Sequence, residues 1–265
     1  MTPVVLKSFF PEIFLSFCIL FQLLFNTYSI NNQKHNFPLL SKEVSSQTFF
    51  ILTSVLILLV NLRIEGFLNN FIFLNDEGVR QAKIFFFFIC IGCLPIILRS
   101  FILQTLNFTE FLSLFLLSIF SLMLLMSSYD FLSFFLTLEM QSLCFYVLAS
   151  LRRNSSFSTD AGLKYFISGS FISGFFLLGC SFVYGVLGTL NLNHIGVLLF
   201  FPLDSIELRC ILNIGLILIT SILLFKMTCA PFHFWSPDVY EGAPLSATVI
   251  FSIIPKIPMI FFFIK

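Results

Sequence analysis

Eight apolar stretches, each long enough to cross a bilayer, restrict what this sequence can fold into. A transmembrane α-helix needs about 20 consecutive, mostly apolar residues. By that measure the sequence predicts eight spanning helices, at residues 8–28, 47–66, 82–101, 108–127, 130–151, 162–185, 209–229 and 244–264. Of the 265 residues, 58% are hydrophobic and 10% are charged, and the net charge is +1. This composition predicts an all-α, polytopic membrane protein, and it excludes a soluble domain or a basic nucleic-acid-binding surface.

The first apolar stretch is interpreted as a retained membrane helix, because it has one Lys before it and no small-residue cleavage site. Phenylalanine accounts for 40 residues, and since its codons are rich in T, this excess suggests an AT-rich organellar gene. Most of the seven cysteines lie inside apolar runs, and Cys90 and Cys93 form the only close pair. No further ligands stand near that pair, so we interpret the cysteines as small buried hydrophobic residues rather than a metal site.

Three ionisable residues stand inside predicted helices, where a charge costs about 3 kcal/mol or more unless a partner or a watery cavity faces it. Glu139 follows Asp130 by nine residues and should lie about 13 Å deep. Lys226 stands near the end of the seventh apolar stretch. Lys256 follows Pro244 by twelve residues and should lie about 18 Å deep, close to the bilayer centre. The alternative for Glu139 is a structural carboxyl. For Lys226 it is a lysine whose ammonium reaches the membrane surface, and for Lys256 it is a structural lysine.

The stretch FKMTCAPFHFWSPDVYEGAP, residues 225–244, combines charges and prolines within an oily sequence. Pro231 lacks an N–H and disfavours helical geometry at Ala230, so the helix should break a few residues after Lys226. Irregular backbone at membrane depth is tolerated only inside protein or along a water-filled cavity. Broken helices beside an ionisable residue form ion sites in transporters. The pattern therefore indicates a site for ions or protons.

The sixth apolar stretch carries two further features. Lys164 stands at its beginning, where it is either an interfacial residue or part of a proton path. Ser170 and Gly174 are four residues apart, a small-xxx-small spacing that predicts close helix packing within the bundle.

Four passages, in chain order, resemble the subunit 2 family of NADH dehydrogenase, the antiporter-like membrane subunits of respiratory complex I. They are FPEIFL (10–15), LEMQSLCFYVLAS (138–150), STDAGLKYFISGS (158–170) and FKMTCAPFHFWSPDVYEGAP (225–244) followed by Lys256. The form PDVYEGAP with Lys256 is similar to subunit 2 rather than to its larger relatives. The form MQSLCFYVLAS is similar to mitochondrial versions from plants and protists.

The resemblance implies a membrane subunit of the proton-pumping NADH:ubiquinone oxidoreductase in the mitochondrial inner membrane, without a redox cofactor bound by this chain. It implies that Glu139 pairs electrostatically with Lys226, that Lys256 is a central proton relay, and that Lys164 contributes from the side. It also implies a discontinuous seventh helix, with the break at Pro231 and Pro237. Residues 1–101 would form three leading helices and residues 108–265 a first antiporter-like repeat of helices four to eight.

Helix counting places Glu139 and Lys226 about 10 Å apart in depth, so their pairing rests on the resemblance. The family fold has a second, inverted repeat with its own lysine, whereas this sequence ends at Lys265. We therefore expect the N-terminal half of a split subunit, completed by a separately encoded chain of about six helices, beside other complex I membrane subunits. A truncated relic is the alternative.

Three alternatives to the complex I function stay open. They are a stand-alone cation/proton antiporter component, a purely structural membrane subunit, and a chloroplast relative of complex I.

Overall fold

The computed structural model describes residues 7–32, 37–62, 66–68, 72–104, 108–152, 154–200 and 206–264. Its helices, numbered in chain order, are α1 (Phe10–Asn32), α2 (Phe37–Asn61), α3 (Glu77–Gln104), α4 (Phe108–Ser127), α5 (Phe131–Ala149), α6 (Ser156–Leu187), α7 (Leu192–Leu199), α8 (Ile206–Lys226), α9 (Ser236–Gly242), α10 (Leu245–Ile253) and α11 (Lys256–Ile264). Eight segments are apolar and long enough to cross a membrane, and the eighth comprises α10 and α11. The prediction of an all-α, multi-pass membrane bundle is confirmed. The ends of the two predicted domains, residues 1–6 and 265, lie outside the described residues.

A short antiparallel hairpin interrupts the helices between α2 and α3. Its strands are β1 (Gly66–Leu68) and β2 (Phe73–Asn75). The predicted second helix, residues 47–66, was therefore displaced along the sequence: α2 begins earlier, at Phe37, and ends at Asn61. Gly66, a poor helix former, enters β1 instead. The backbone N–H of Tyr129 donates to the carbonyl of Ile72 at 2.8 Å. The hairpin is thereby tied to the beginning of α5.

Helices α6 and α8 approach each other closely at a pair of glycines. A Cβ atom built on Gly179 would lie 3.0 Å from the carbonyl oxygen of Gly215, and a Cβ on Gly215 would lie 3.0 Å from that of Gly179. Ser170 and Gly174 are exposed on α6. The predicted small-residue contact was therefore wrong within this chain, because the face of α6 that meets α8 carries Gly179.

The predicted burial of the cysteines holds for four of them. Cys90, Cys93, Cys144 and Cys180 are buried, whereas Cys210 is exposed near the beginning of α8.

Candidate functional site

Ring contacts set the depth of Lys256 relative to Glu139. Two aromatic pairs join α5 to the α10–α11 segment: Phe145 with Phe251 at 4.8 Å between centroids, and Phe134 with Phe262 at 3.7 Å. Both pairs fit a single antiparallel alignment of α5 with the α10–α11 segment. In that alignment Lys256 lies opposite the residue that follows Glu139. The two side chains therefore share a depth in the bundle, although they stand 117 positions apart in the sequence.

Lys226 lies at nearly the same depth, as two further registers demonstrate. The pairs that set them are Tyr146 with Tyr165 and Phe134 with Phe176 between α5 and α6, and Gly179 with Gly215 between α6 and α8. The glycine pair aligns Lys226 on α8 with a position on α6, and the two ring pairs align that position with α5. Lys226 then lies at the level of Ser142. Ser142 is three residues from Glu139, which corresponds to about 5 Å along a helix. Glu139, Lys226 and Lys256 thus lie within about one helical turn in depth.

The larger depth difference obtained by helix counting was wrong, because it assumed that the helices begin at one level. Helix α6 has 32 residues and α5 has 19, and the registers place the beginning of α8 about two turns beyond the beginning of α5. Glu139 and Lys226 interact electrostatically. They do not form one of the direct ion pairs among the described residues, so the carboxyl of Glu139 and Nζ of Lys226 are more than 4.0 Å apart.

The α8 helix ends at Lys226 itself, earlier than the proline rule predicted. Beyond it, the break segment, residues 227–235, turns back on itself, and Thr228 adopts a left-handed backbone with φ of 58°. For a β-branched residue this conformation is strained by about 1–3 kcal/mol. Pro231 lies inside the break segment, whereas Pro237 lies in the first turn of α9, where its missing N–H costs nothing. Of the two prolines, only Pro231 belongs to the break.

Trp235 closes the break segment against α6 and α8. Its indole N–H donates to the carbonyl of Phe225 at 3.2 Å, one residue before Lys226. Its ring stacks on Tyr165 at 4.7 Å with an angle of 6° between the planes. Only 6% of Trp235 is exposed. The broken end of α8 is therefore held by an aromatic side chain rather than by continued helix.

Two buried polar atoms at the level of this break, Gln141 Oε1 and Lys226 Nζ, have no hydrogen-bond partner among the described residues. The hydroxyls of Tyr146 and Tyr240 lie beside Ser142 and Thr228, respectively. Tyr146 lies within electrostatic range of Glu139, and Tyr165 lies within that range of both Tyr146 and Tyr240. Polar groups buried without a partner cost free energy. The site is accordingly polar inside an apolar bundle, and it offers donors and acceptors to small polar species.

Lys256 occupies the interruption of the last spanning segment. Helix α10 ends at Ile253 and α11 begins at Lys256, so the helix is interrupted immediately before Lys256. Lys256 is partly buried between the buried residues Pro255 and Pro258. The two helix interruptions, at Lys226 and at Lys256, therefore lie at nearly the depth of Glu139.

Lys164 belongs to a different part of the molecule. Its Nζ lies 2.6 Å from Oδ2 of Asp238, on α9, and more than half of each side chain is exposed in this chain. The α5–α6 register places Lys164 about 12 Å in depth from Glu139. The structure brings Lys164 to the PDVYEG segment and not to the central three residues.

A second buried group of charges lies outside the sequence-predicted site. Lys83 Nζ lies 2.5 Å from Glu12 Oε1 and 2.5 Å from Asn75 Oδ1. The available signal was an acidic residue in FPEIFL and a lysine six residues into α3. Both stand near helix ends, where charges are ordinary, so the sequence alone does not indicate a buried ion pair.

Comparison with known proteins gives a consistent result. Residues 128–264, just over half of the chain, match the family described as NADH:quinone oxidoreductase/Mrp antiporter, transmembrane. NADH-ubiquinone oxidoreductase chain 2 of Marchantia polymorpha is 37% identical over 96% of this chain and 53% of its own length. NADH-quinone oxidoreductase subunit N of Pelagibacter ubique is 36% identical over 98% of this chain and 53% of its own length. The chain therefore spans about half the length of these curated relatives.

Solved structures share the fold. A chain of respiratory complex I from Thermus thermophilus superposes with a TM-score of 0.73 at 24% identity, covering 95% of this chain and 52% of that one. A chain of the Mrp complex from Dietzia sp. superposes with a TM-score of 0.67 at 18% identity, covering 97% of this chain and 47% of that one. At these identities the superpositions establish the architecture.

Proposed function

Since the chain belongs to the NADH:quinone oxidoreductase/Mrp antiporter membrane family, we propose that it forms a proton-translocating half-channel of respiratory NADH:ubiquinone oxidoreductase. The observation that carries the proposal is the common depth of Glu139, Lys226 and Lys256 beside two helix interruptions. The identity of 37% to a plant mitochondrial chain supports a place in the mitochondrial inner membrane and a mitochondrial gene. In this proposal the chain binds no redox cofactor, and electron transfer occurs elsewhere in the complex.

The three residues have distinct roles in this proposal. Lys226 exchanges a proton at the broken end of α8, where its Nζ is buried and unpaired among the described residues. Glu139 acts on Lys226 through its charge, because the two interact electrostatically without direct contact. Lys256 passes the proton onward from the second interruption. Lys164, paired with Asp238, contributes near the end of the path.

Water is the medium that we propose between these residues. The unpartnered atoms at the level of the break, Gln141 Oε1 and Lys226 Nζ, belong to α5 and to the end of α8. Buried polar groups are ordinarily satisfied by protein or by water that makes about three hydrogen bonds. A chain of such waters would connect groups that lie too far apart for direct proton transfer.

We further propose that the half of the relatives' length that this chain does not match packs against α6 and α8. A groove there is lined by aromatic and aliphatic side chains, namely Phe171, Ile172, Phe175, Leu218, Ser221, Ile222, Phe225, Phe232 and Phe234. It begins at the break segment itself, so an added helix pair would enclose Lys226 further. In the split arrangement a separately encoded chain supplies these helices beside other complex I subunits. A mass-spectrometric inventory of the intact complex tests this: a second chain matching the other half of the relatives is expected, and unrelated single-span subunits alone would contradict it.

A cation/proton antiporter component is the second candidate, favoured by the superposition on a chain of the Mrp complex. The two candidate functions differ in the redox cofactors that the rest of the assembly carries. Purified assemblies of the first kind carry flavin and iron–sulfur absorbance, and those of the second kind carry neither.

A double-mutant cycle tests the proposed pair. Glu139→Gln, Lys226→Met and the double variant are compared in sealed vesicles by the number of protons translocated per NADH oxidised. At a separation above 4.0 Å the charges couple by at most about 4 kcal/mol at an effective dielectric constant of 20. We expect each single variant to lower the ratio and the double variant to be little worse than the worse single one. Glu110→Gln, an exposed carboxyl in the first turn of α4, is the matched control.

Independent effects of the two substitutions would contradict the proposed pair. If the losses of the two single variants multiply in the double variant, the two residues act independently and the proposed pair is wrong.

A further inference from the structure

Three polar side chains form a buried cluster between α1, β2 and α3, outside the segment that matches the antiporter family. In addition to its contact with Lys83, Asn75 donates from Nδ2 to Glu12 Oε1 at 3.2 Å and to the carbonyl of Ser8 at 2.9 Å. Lys83 also lies 6.0 Å from the ring centroid of Phe9. We call Glu12, Asn75 and Lys83 the Glu12–Lys83 cluster. Its members are 71 residues apart at the extremes, so tertiary structure alone creates it.

The charges of the Glu12–Lys83 cluster are almost completely removed from solvent. Lys83 is 1% exposed and Glu12 is 3% exposed. Removing two ions from water costs several kcal/mol each, and their attraction offsets this only when every remaining donor and acceptor is satisfied. Here Glu12 Oε2 is buried and has no hydrogen-bond partner among the described residues. The ionised carboxylate is therefore incompletely compensated, whereas a protonated carboxyl would remove the uncompensated charge.

A pocket connects the Glu12–Lys83 cluster to one face of the bundle. It is lined by Ser8, Pro11, Leu59, Leu62, Asn75, Asp76, Glu77, Arg80 and Lys83. Asp76 and Glu77 are exposed at its rim. Arg80 is occupied by its ion pair with Glu77 and by the carbonyls of Val60 and Leu62. Besides these exposed carboxyls, the buried charged group that lines the pocket is Lys83, and Glu12 is reached from the pocket through its hydrogen bond with Lys83.

We propose that the Glu12–Lys83 cluster is a second proton-binding site, which exchanges protons with one membrane face through this pocket. The ammonium of Lys83 gives a proton to Glu12 Oε1 along their shared hydrogen bond, which leaves a neutral amine and a carboxylic acid. The amine of Lys83, which lines the pocket, takes up a proton from water there, so that the cluster holds one more proton. Release reverses both steps: Lys83 gives a proton to pocket water, and the carboxylic acid returns its proton to the amine, which restores the ion pair. Each cycle exchanges one proton for one proton, so atoms and charge balance without a further reactant.

The alternative role for such a cluster is a purely structural clamp, in which both groups stay ionised at every pH. Infrared difference spectroscopy of the assembled complex separates the two, because it detects the carbonyl stretch of a protonated carboxyl. The readout does not depend on proton pumping, so its outcome is independent of the proposed function. We expect a protonated-carboxyl band in the wild type whose intensity changes with pH and which Glu12→Gln removes. Glu110→Gln, at an exposed position, is expected to leave that band unchanged.

Lys83→Arg provides a second test that keeps Glu12 in place. Arginine retains the positive charge opposite Glu12 but does not release its proton near neutral pH. We expect Lys83→Arg to remove the pH-dependent band although the carboxyl is still present. If Glu12→Gln fails to assemble, the difference between wild type and Lys83→Arg decides alone. Absence of a band that depends on Glu12 or on Lys83, or a band of constant intensity at all pH values, would overturn the proposal.

Discussion

Trp235 is expected to hold the break segment in place, and Trp235→Phe removes its hydrogen bond together with part of its ring. The substitution keeps an aromatic ring against Tyr165 but removes the N–H that donates to the Phe225 carbonyl. That carbonyl also accepts from the backbone N–H of Thr228 at 3.0 Å, so it does not become an orphan. The lost bond is therefore worth about 1 kcal/mol rather than a full burial penalty.

The smaller ring adds a second contribution. Trp235 is buried, and loss of part of its ring leaves a void that costs about 1 kcal/mol more. Together these effects favour opening of the break segment by about 2 kcal/mol, or roughly 30-fold. Hydrogen exchange followed by mass spectrometry measures this opening directly. The backbone N–H groups of Thr228 and Cys229 donate to carbonyls at the end of α8, and that of Phe232 donates to the carbonyl of Cys229. Exchange there should accelerate by about that factor.

Phe200→Leu is the matched control for this experiment. The Phe200 ring, at the end of α7, is 89% exposed and lies outside the groove on α6 and α8, so this variant should exchange at the break segment as the wild type does. Equal exchange rates in Trp235→Phe and wild type would refute the reasoning that the indole holds the broken end of α8.

Two further predictions concern packing and surface charge. Gly215→Leu should separate α6 from α8, because even a Cβ would meet Gly179, Phe182 and Val183 at 3.0–3.1 Å; a loss of about 1–3 kcal/mol or more is expected as a lower denaturation temperature of the complex. Gly185→Leu, where a Cβ has nothing within 4 Å, is the control, and equal denaturation temperatures for both variants would contradict the close contact. Asp238→Asn breaks an exposed ion pair with Lys164 and should change the denaturation temperature only slightly, since water and salt screen the charges of an exposed pair. A large decrease would mean that the pair is desolvated in the assembled complex.

The sequence predicted the spanning helices well because hydrophobicity is a local property. Eight apolar stretches became eight apolar segments, with differences at the ends. The second ended early at Asn61, where the hairpin follows, and the sixth was longer, at Ser156–Leu187, than its apolar core at residues 162–185. Connectors can extend or shorten a helix without changing the apolar run, so boundaries were the least predictable part.

Relative depth could not be predicted from the sequence because long-range packing determines it. The contact of Gly179 with Gly215 fixes how far α8 slides along α6, and that sliding brings Lys226 near the level of Glu139. Likewise, the proline rule indicated a break after Lys226, but the position of the helix end depends on Trp235, which folds back from nine residues beyond. The Glu12–Lys83 cluster depends wholly on tertiary structure.

Lys256 provides the most direct test of the central claim, which is that protons pass through the polar site at the two helix interruptions. Lys256→Met keeps the length of the side chain and removes its charge. The measurement is the number of protons translocated per NADH oxidised in sealed vesicles that contain the assembled complex, with Lys7→Met, at an exposed position, as the control. The account predicts that Lys256→Met assembles normally and translocates markedly fewer protons per NADH than wild type and Lys7→Met. An unchanged ratio in a fully assembled Lys256→Met complex would contradict it.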